Sequence, residues 1–216
     1  MQNFKFKHET LKPWVLRKRL RMFAKLANHE QTQSGFTWYE QMHHWCAGAA
    51  DRSDVELFKY VGVFAAMSPQ MSVDRNKELA NQYFREGRAA HYNMLNDKAD
   101  RIMGAESPEQ VADILGGNKI TSFFWNILQP TKATRVTIDR HALASMLQTP
   151  STVTALADRV YDMTDQQYAR FERIYADVAS ELQMLPHQLQ AVVWNVYRDL
   201  RDLREYQHEP ATDCPF

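Results

Sequence analysis

The chain has 216 residues, its 26 Lys and Arg balance its 26 Asp and Glu, and its formal net charge is zero. Hydrophobic residues make up 44% and aromatics 12%, enough to bury a substantial interior, which excludes a disordered chain. Zero net charge excludes a domain that is basic all over, so any nucleic-acid surface has to be a local patch.

The first residues, MQNFKFKHETLK, contain no apolar signal-peptide core, and no run of about 18 uncharged apolar residues occurs anywhere. The expectation is a chain with neither signal peptide nor membrane span. From Leu11 to Asn28, apolar residues recur at three-and-four spacing among Lys12, Arg17, Lys18, Arg19, Arg21 and Lys25, which predicts a basic amphipathic helix. A second helix is expected from Thr37 to Ala50. A third follows Asp54 as N-cap and runs through Val55, Leu57, Phe58, Val61, Val63, Phe64 and Met67, apolar enough to be central. Pro69 ends it, Ser72 caps the next, and Val73 to Arg85 reads as another amphipathic helix.

Ser107-Pro108-Glu109 is a helix start, with a capping hydroxyl, a proline in the first turn and an acid favoured by the helix dipole. Gly116-Gly117 stops that helix, and Lys119 to Leu128 is helical again. Arg135 to Ile138 is a short extended run before Asp139, which caps a helix from Arg140 to Leu147. Helices from Asp165 to Leu185 and from Pro186 to about Leu203 close the chain. No strand and no internal repeat is apparent, so the fold class is all-α, with about eight to ten helices. The length leaves one α-helical domain over residues 1–216, or two small ones that share a core.

Only two cysteines occur, Cys46 and Cys214, so a disulfide scaffold, a zinc finger and a cysteine-ligated iron–sulfur cluster are excluded by ligand count. No metal or cofactor is expected, and a reduced, cytoplasmic compartment fits. Three other places carry chemistry. At Ile114-Leu115-Gly116-Gly117-Asn118-Lys119-Ile120-Thr121, a glycine turn between helices exposes backbone N–H groups suited to a phosphate; alone, it reads better as a tight turn with a glycine C-cap. At Val136-Thr137-Ile138-Asp139-Arg140-His141, an acid and two basic side chains cluster at a helix mouth, and alone this is an ordinary Asp cap. At Phe64 to Gln70, an apolar helix ends in polar residues.

In this order and spacing, over about Val55 to Leu147, the three places resemble the helix-hairpin-helix DNA glycosylase superfamily, in particular its endonuclease III-like members. Met67-Ser68-Pro69-Gln70 matches a helix ending in Ser-x-Gln. Leu115 to Thr121 is similar to the hairpin Leu-Pro-Gly-x-Gly-x-Lys-Thr-Ala, and Ile138-Asp139-Arg140-His141 to Val-Asp-x-His. The hairpin is shorter than the family form, lacking its Pro and first Gly, and the iron–sulfur loop is absent.

The resemblance implies a helix-hairpin-helix fold with its hairpin at about residues 108–128, and duplex DNA with a flipped-out base as partner. It implies that Asp139 stabilises an oxocarbenium-like sugar, and that Lys119 is the Schiff-base amine of bifunctional members or, if it points outward, a phosphate contact. It implies that Gln70 fills the gap left by the flipped nucleotide. Gly116, Gly117, Asn118 and Thr121 would hold phosphate, and Arg140 would flank the catalytic acid. His141 is expected to be structural, and the aromatics of the last helix to be core residues rather than a stacking platform. The basic N-terminal helix and the Arg-flanked Asp139 suggest a local positive face.

Two other functions remain open. Relatives of these enzymes in bacteriophages join an amino acid or amine to an activated thymine in DNA, and a module of this fold could bind DNA without chemistry. The expected setting is the cytoplasm of a bacterial or phage-infected cell, with the protein monomeric and away from membranes.

Overall fold

A computed structural model describes residues 2–6, 9–89, 93–147 and 163–208, with side chains described to residue 200. The fold is all-α: ten helices and one two-stranded hairpin occur among the described residues. The elements divide into two units, Met1–Phe36 with Ile138–Phe216, and Thr37–Thr137.

The first unit opens with β1 (Phe4–Phe6) and β2 (Glu9–Leu11), paired antiparallel with Phe4 opposite Leu11. The sequence had offered no strand here, because two three-residue strands are too short to show alternation. They hold by burying Phe4 and Phe6 edge-on against Phe171, with ring centroids 5.4 and 5.2 Å apart. Leu11 belongs to this hairpin, so α1 spans Pro13–Leu26 rather than starting at Leu11. Leu16, Leu20 and Phe23 form its buried face, which packs on α8 (Arg140–Leu147), α9 (Asp165–Glu181) and α10 (Pro186–His208).

Helix α2 (His29–Arg52) starts earlier than Thr37 and continues into the second unit. Asn28 and Gln31 cap it reciprocally, each side-chain oxygen accepting the other's backbone N–H at 2.9 and 2.8 Å. Gly35 lies inside this helix for a steric reason. A Cβ there would stand 2.5 Å from Val192 Cγ2 and 2.6 Å from its backbone nitrogen, so only glycine allows α10 to approach.

The second unit is built around α3 (Leu57–Ala66), whose residues Tyr60 to Ala66 are all buried. It packs against α4 (Val73–Glu86), α5 (Asn93–Met103), α6 (Pro108–Leu115) and α7 (Asn118–Leu128). Asp54 does not cap α3. It stands at φ 51° in the turn that ends α2, where the N–H of Asp54 bonds Asp51 O and that of Val55 bonds Ala50 O, and the N-cap of α3 is Glu56. Ser72 and Ser107 do cap α4 and α6, accepting from the N–H groups of Arg75 and Gln110. Helix α5 has no counterpart in the sequence reading, and the next-to-last helix ends at Glu181, short of Leu185. Cys214 lies outside the described residues.

Candidate functional site

The candidate residues fall into both units. Gln70, Gly116, Gly117, Asn118, Lys119 and Thr121 belong to the second, Asp139 and Arg140 to the first.

In the second unit, Ser68 to Met71 form a β-turn closed by the Met71 N–H on Ser68 O at 3.2 Å. Pro69 supplies the restricted φ of its first corner, and Gln70 takes the second at φ 63°, a left-handed conformation that normally selects Gly or Asn. Gln70 is exposed. A long amide side chain is thus held outward at a strained position that glycine would occupy more easily.

The glycine hairpin joins α6 to α7. Gly116 has φ 59° and ψ −178°, and Gly117 has φ 52° and ψ 123°, combinations that an L side chain rarely adopts. Open space surrounds the Cβ position of each, so the backbone conformation, and not crowding, requires glycine. Thr121 Oγ1 donates to Gly116 O at 3.0 Å, tying the first turn of α7 to the hairpin. Lys98 Nζ donates to Leu115 O at 2.9 Å, placing a cation on the carbonyl end of α6, where the helix dipole is negative. Spacing gave no hint of Lys98, because α5 itself was not legible. Asn118 and Lys119 open α7, both half-buried and both engaged in contacts of their own, above an N-cap, Gly117, that has no side chain to cap with.

In the first unit, Asp139 is the N-cap of α8. Its Oδ1 accepts the Ala142 N–H at 2.7 Å and its carbonyl accepts that of Leu143 at 2.9 Å. Among the described residues, Oδ2 accepts no hydrogen bond. One carboxylate oxygen is therefore fixed by the helix, and the other is oriented through it. Arg140 Nε donates to His141 Nε2 at 3.2 Å. The His141 ring meets Trp194 and Tyr197 of α10 with centroids 6.0 Å apart in each case, and Arg198 lies 4.8 Å over Trp194. Trp194, Tyr197 and His141 are only half-buried, unlike Leu189, Val192, Val193 and Val196 of the same helix. They form an aromatic and cationic surface at the α8 N-terminus rather than interior core.

Three arginines of the basic stripe of α1 bond within their own unit. Arg17 pairs with Asp177 and Arg21 with Glu181 on α9, the second pair through two bonds of 2.7 and 2.8 Å, while Arg19 donates to Met146 O at the end of α8. These three guanidinium groups hold their own unit together. The Glu181 carboxyl is held below its ordinary value by the hydrogen bond from Arg21. Among the described residues, no cluster of three or more His, Cys, Asp or Glu could hold a metal ion, and no helix is long and apolar enough to cross a membrane.

The chemistry within reach is thus divided. The second unit offers a glycine hairpin with the Lys98 ammonium on the Leu115 carbonyl, and an outward Gln. The first offers a capped carboxylate beside half-buried aromatics. No curated protein and no solved structure matches the chain. Residues 1–201 match a family described as of unknown function, DUF7178, and the chain belongs to that family.

Proposed function

We propose that this protein is a DNA glycosylase that excises a flipped-out damaged or modified base. The observation that carries the reading is the helix–Gly–Gly–helix turn, with positive φ at both glycines and open space over both. It is a backbone conformation that lets a phosphodiester chain approach main-chain N–H groups without side-chain interference. Gly117 then presents its N–H to the DNA backbone beside Asn118, while Gly116 and Thr121 shape the turn through their bonds to Ala112 O and Gly117 O, and Gln70 enters the space vacated by the base.

In the excision step, the base leaves with the electron pair of the N-glycosidic bond. The positive charge that develops on the sugar is stabilised by the Asp139 carboxylate, which also takes a proton from the water attacking C1′. Trp194 and Tyr197 supply a face on which a base can stack. Lys119 is either the amine that attacks C1′ or a phosphate contact. A covalent complex trapped by borohydride and lost in Lys119→Ala assigns it the first role, and the absence of trapping assigns the second.

The deciding experiment incubates the protein with duplexes carrying a uracil, an oxidised guanine or a hydroxymethylated pyrimidine and weighs the resulting nucleosides. Release of free base by the wild type, lost in Asp139→Asn, is the expected result. A gain of nucleoside mass would replace excision by base modification, and binding with no product would leave a DNA-binding module.

A further inference from the structure

We propose that Tyr168 is the positioning residue for the Asp139 carboxylate, a role that rests on the excision reading only for its kinetic consequence. Residues 133–139 are neither helix nor strand, so the N–H of Ile138, a fully buried residue, has no ladder partner. It donates to Tyr168 Oη at 3.0 Å. Tyr168 is itself buried, and its depth is set by the α9 N-terminus, where Thr164 and Gln167 form a reciprocal capping box and the Tyr168 N–H bonds Thr164 O.

Two turns further along the same helix, Tyr175 Oη donates to Ala142 O at 3.2 Å. Ala142 is the residue whose N–H holds Asp139 Oδ1. One face of α9 therefore grips the chain on both sides of Asp139. The two grips are not equivalent. Ala142 O also accepts from Ser145 Oγ at 2.9 Å, so it keeps a partner without Tyr175, whereas among the described residues the Ile138 N–H is bonded to Tyr168 alone. A buried amide without an acceptor seeks another by rotating its peptide, here Thr137–Ile138, which is separated from the Ile138–Asp139 peptide by the Ile138 Cα alone.

The test compares Tyr168→Phe with Tyr175→Phe in the full chain; each change removes one hydroxyl from the same buried helix face. Residue-resolved amide exchange is expected to find Ile138 and Ala142 among the slow amides of the wild type. Both should exchange about tenfold faster or more in Tyr168→Phe, with Tyr175→Phe near wild type. On whichever of the duplexes named above the wild type opens, Tyr168→Phe should lower kcat on the order of a hundredfold at unchanged KM, and Tyr175→Phe should not. A fast Ile138 amide in the folded wild type overturns the proposal without any variant. So do wild-type exchange in Tyr168→Phe, or equal losses in the two variants. If the wild type opens none of the duplexes, the excision reading falls, and exchange alone decides the positioning role.

Discussion

Asp139 Oδ1 accepts the Ala142 N–H at 2.7 Å, so the carboxylate proposed to stabilise the sugar cation is also the cap of α8. Capping and charge can be separated, because Asn caps a helix about as well as Asp. Asp139→Asn is expected to keep the melting temperature and DNA affinity of the wild type while abolishing base release. Asp139→Ala should in addition lose about 1 kcal/mol of stability. Excision assays and thermal melts of both variants check this, and full activity in Asp139→Asn would remove that residue from the reaction.

Gln70 stands at φ 63° in a proline turn, a strained choice that function can explain and stability cannot. Relief of left-handed strain, roughly 1–2 kcal/mol, exceeds the entropic cost of glycine, roughly 0.5–1 kcal/mol. Gln70→Gly should therefore raise stability by about 0.5 kcal/mol or more, while weakening capture of a flipped nucleotide. Melting curves measured beside binding to a duplex with an abasic site test the trade. A more stable variant with unchanged binding leaves Gln70 without the proposed task.

At the hairpin, Gly116→Ala and Gly117→Ala meet no neighbouring atom within 4 Å, so any loss comes from backbone strain. A cost on the order of 1–3 kcal/mol is expected for each, together with weaker DNA binding. Gly62→Ala provides the contrast: its Cβ would lie 2.6 Å from Val111 Cγ1, so it should destabilise by crowding α3 against α6. Denaturant titrations and DNA affinities of the three variants separate these causes, since only the hairpin pair should affect DNA binding beyond stability.

Arg17 and Arg21 are committed to Asp177 and Glu181. Replacing either by Gln should leave the salt dependence of DNA binding unchanged, whereas Lys119→Gln should reduce its slope by about 1. The Arg21 pair also sets a pH dependence. The Glu181 carboxyl is depressed in the folded state, so its contribution is present above the ordinary carboxyl range and is lost as pH falls through the lowered folded value. Acid melts of Arg21→Gln should accordingly converge on the wild type at low pH.

At the alkaline end the sign reverses. Burial pushes the Cys46 thiol up to about 12 and raises the phenols of Tyr60 and Tyr83, the latter also through its bond to Asp100. Groups with raised folded values stabilise fully below their unfolded values, and that stability fades as pH climbs toward the folded ones. The second unit should therefore lose stability from about pH 9 upward, the ordinary thiol value being 9.0. Tyrosine absorbance followed through an alkaline titration should show Tyr60 and Tyr83 ionising only with unfolding.

The local grammar of the chain was legible in its residues. Ser72, Ser107 and Asp139 cap helices as their spacing implied, and Arg140–Leu147 and Pro108–Leu115 follow from caps and glycines, because capping is chemistry between near neighbours. Apolar periodicity likewise identified α3 as central, since a helix apolar on all sides has to be covered on all sides. Tertiary structure decided what periodicity leaves open. It committed the arginines of α1 to α9 and α8, placed Gly35 inside a helix against Val192, and left Trp194 and Tyr197 half-buried beside His141. It also brought Lys98 to the Leu115 carbonyl and Tyr168 to the Ile138 N–H. Each of these joins residues far apart in the chain, and a local pattern records which face a side chain occupies, not which distant partner meets it there.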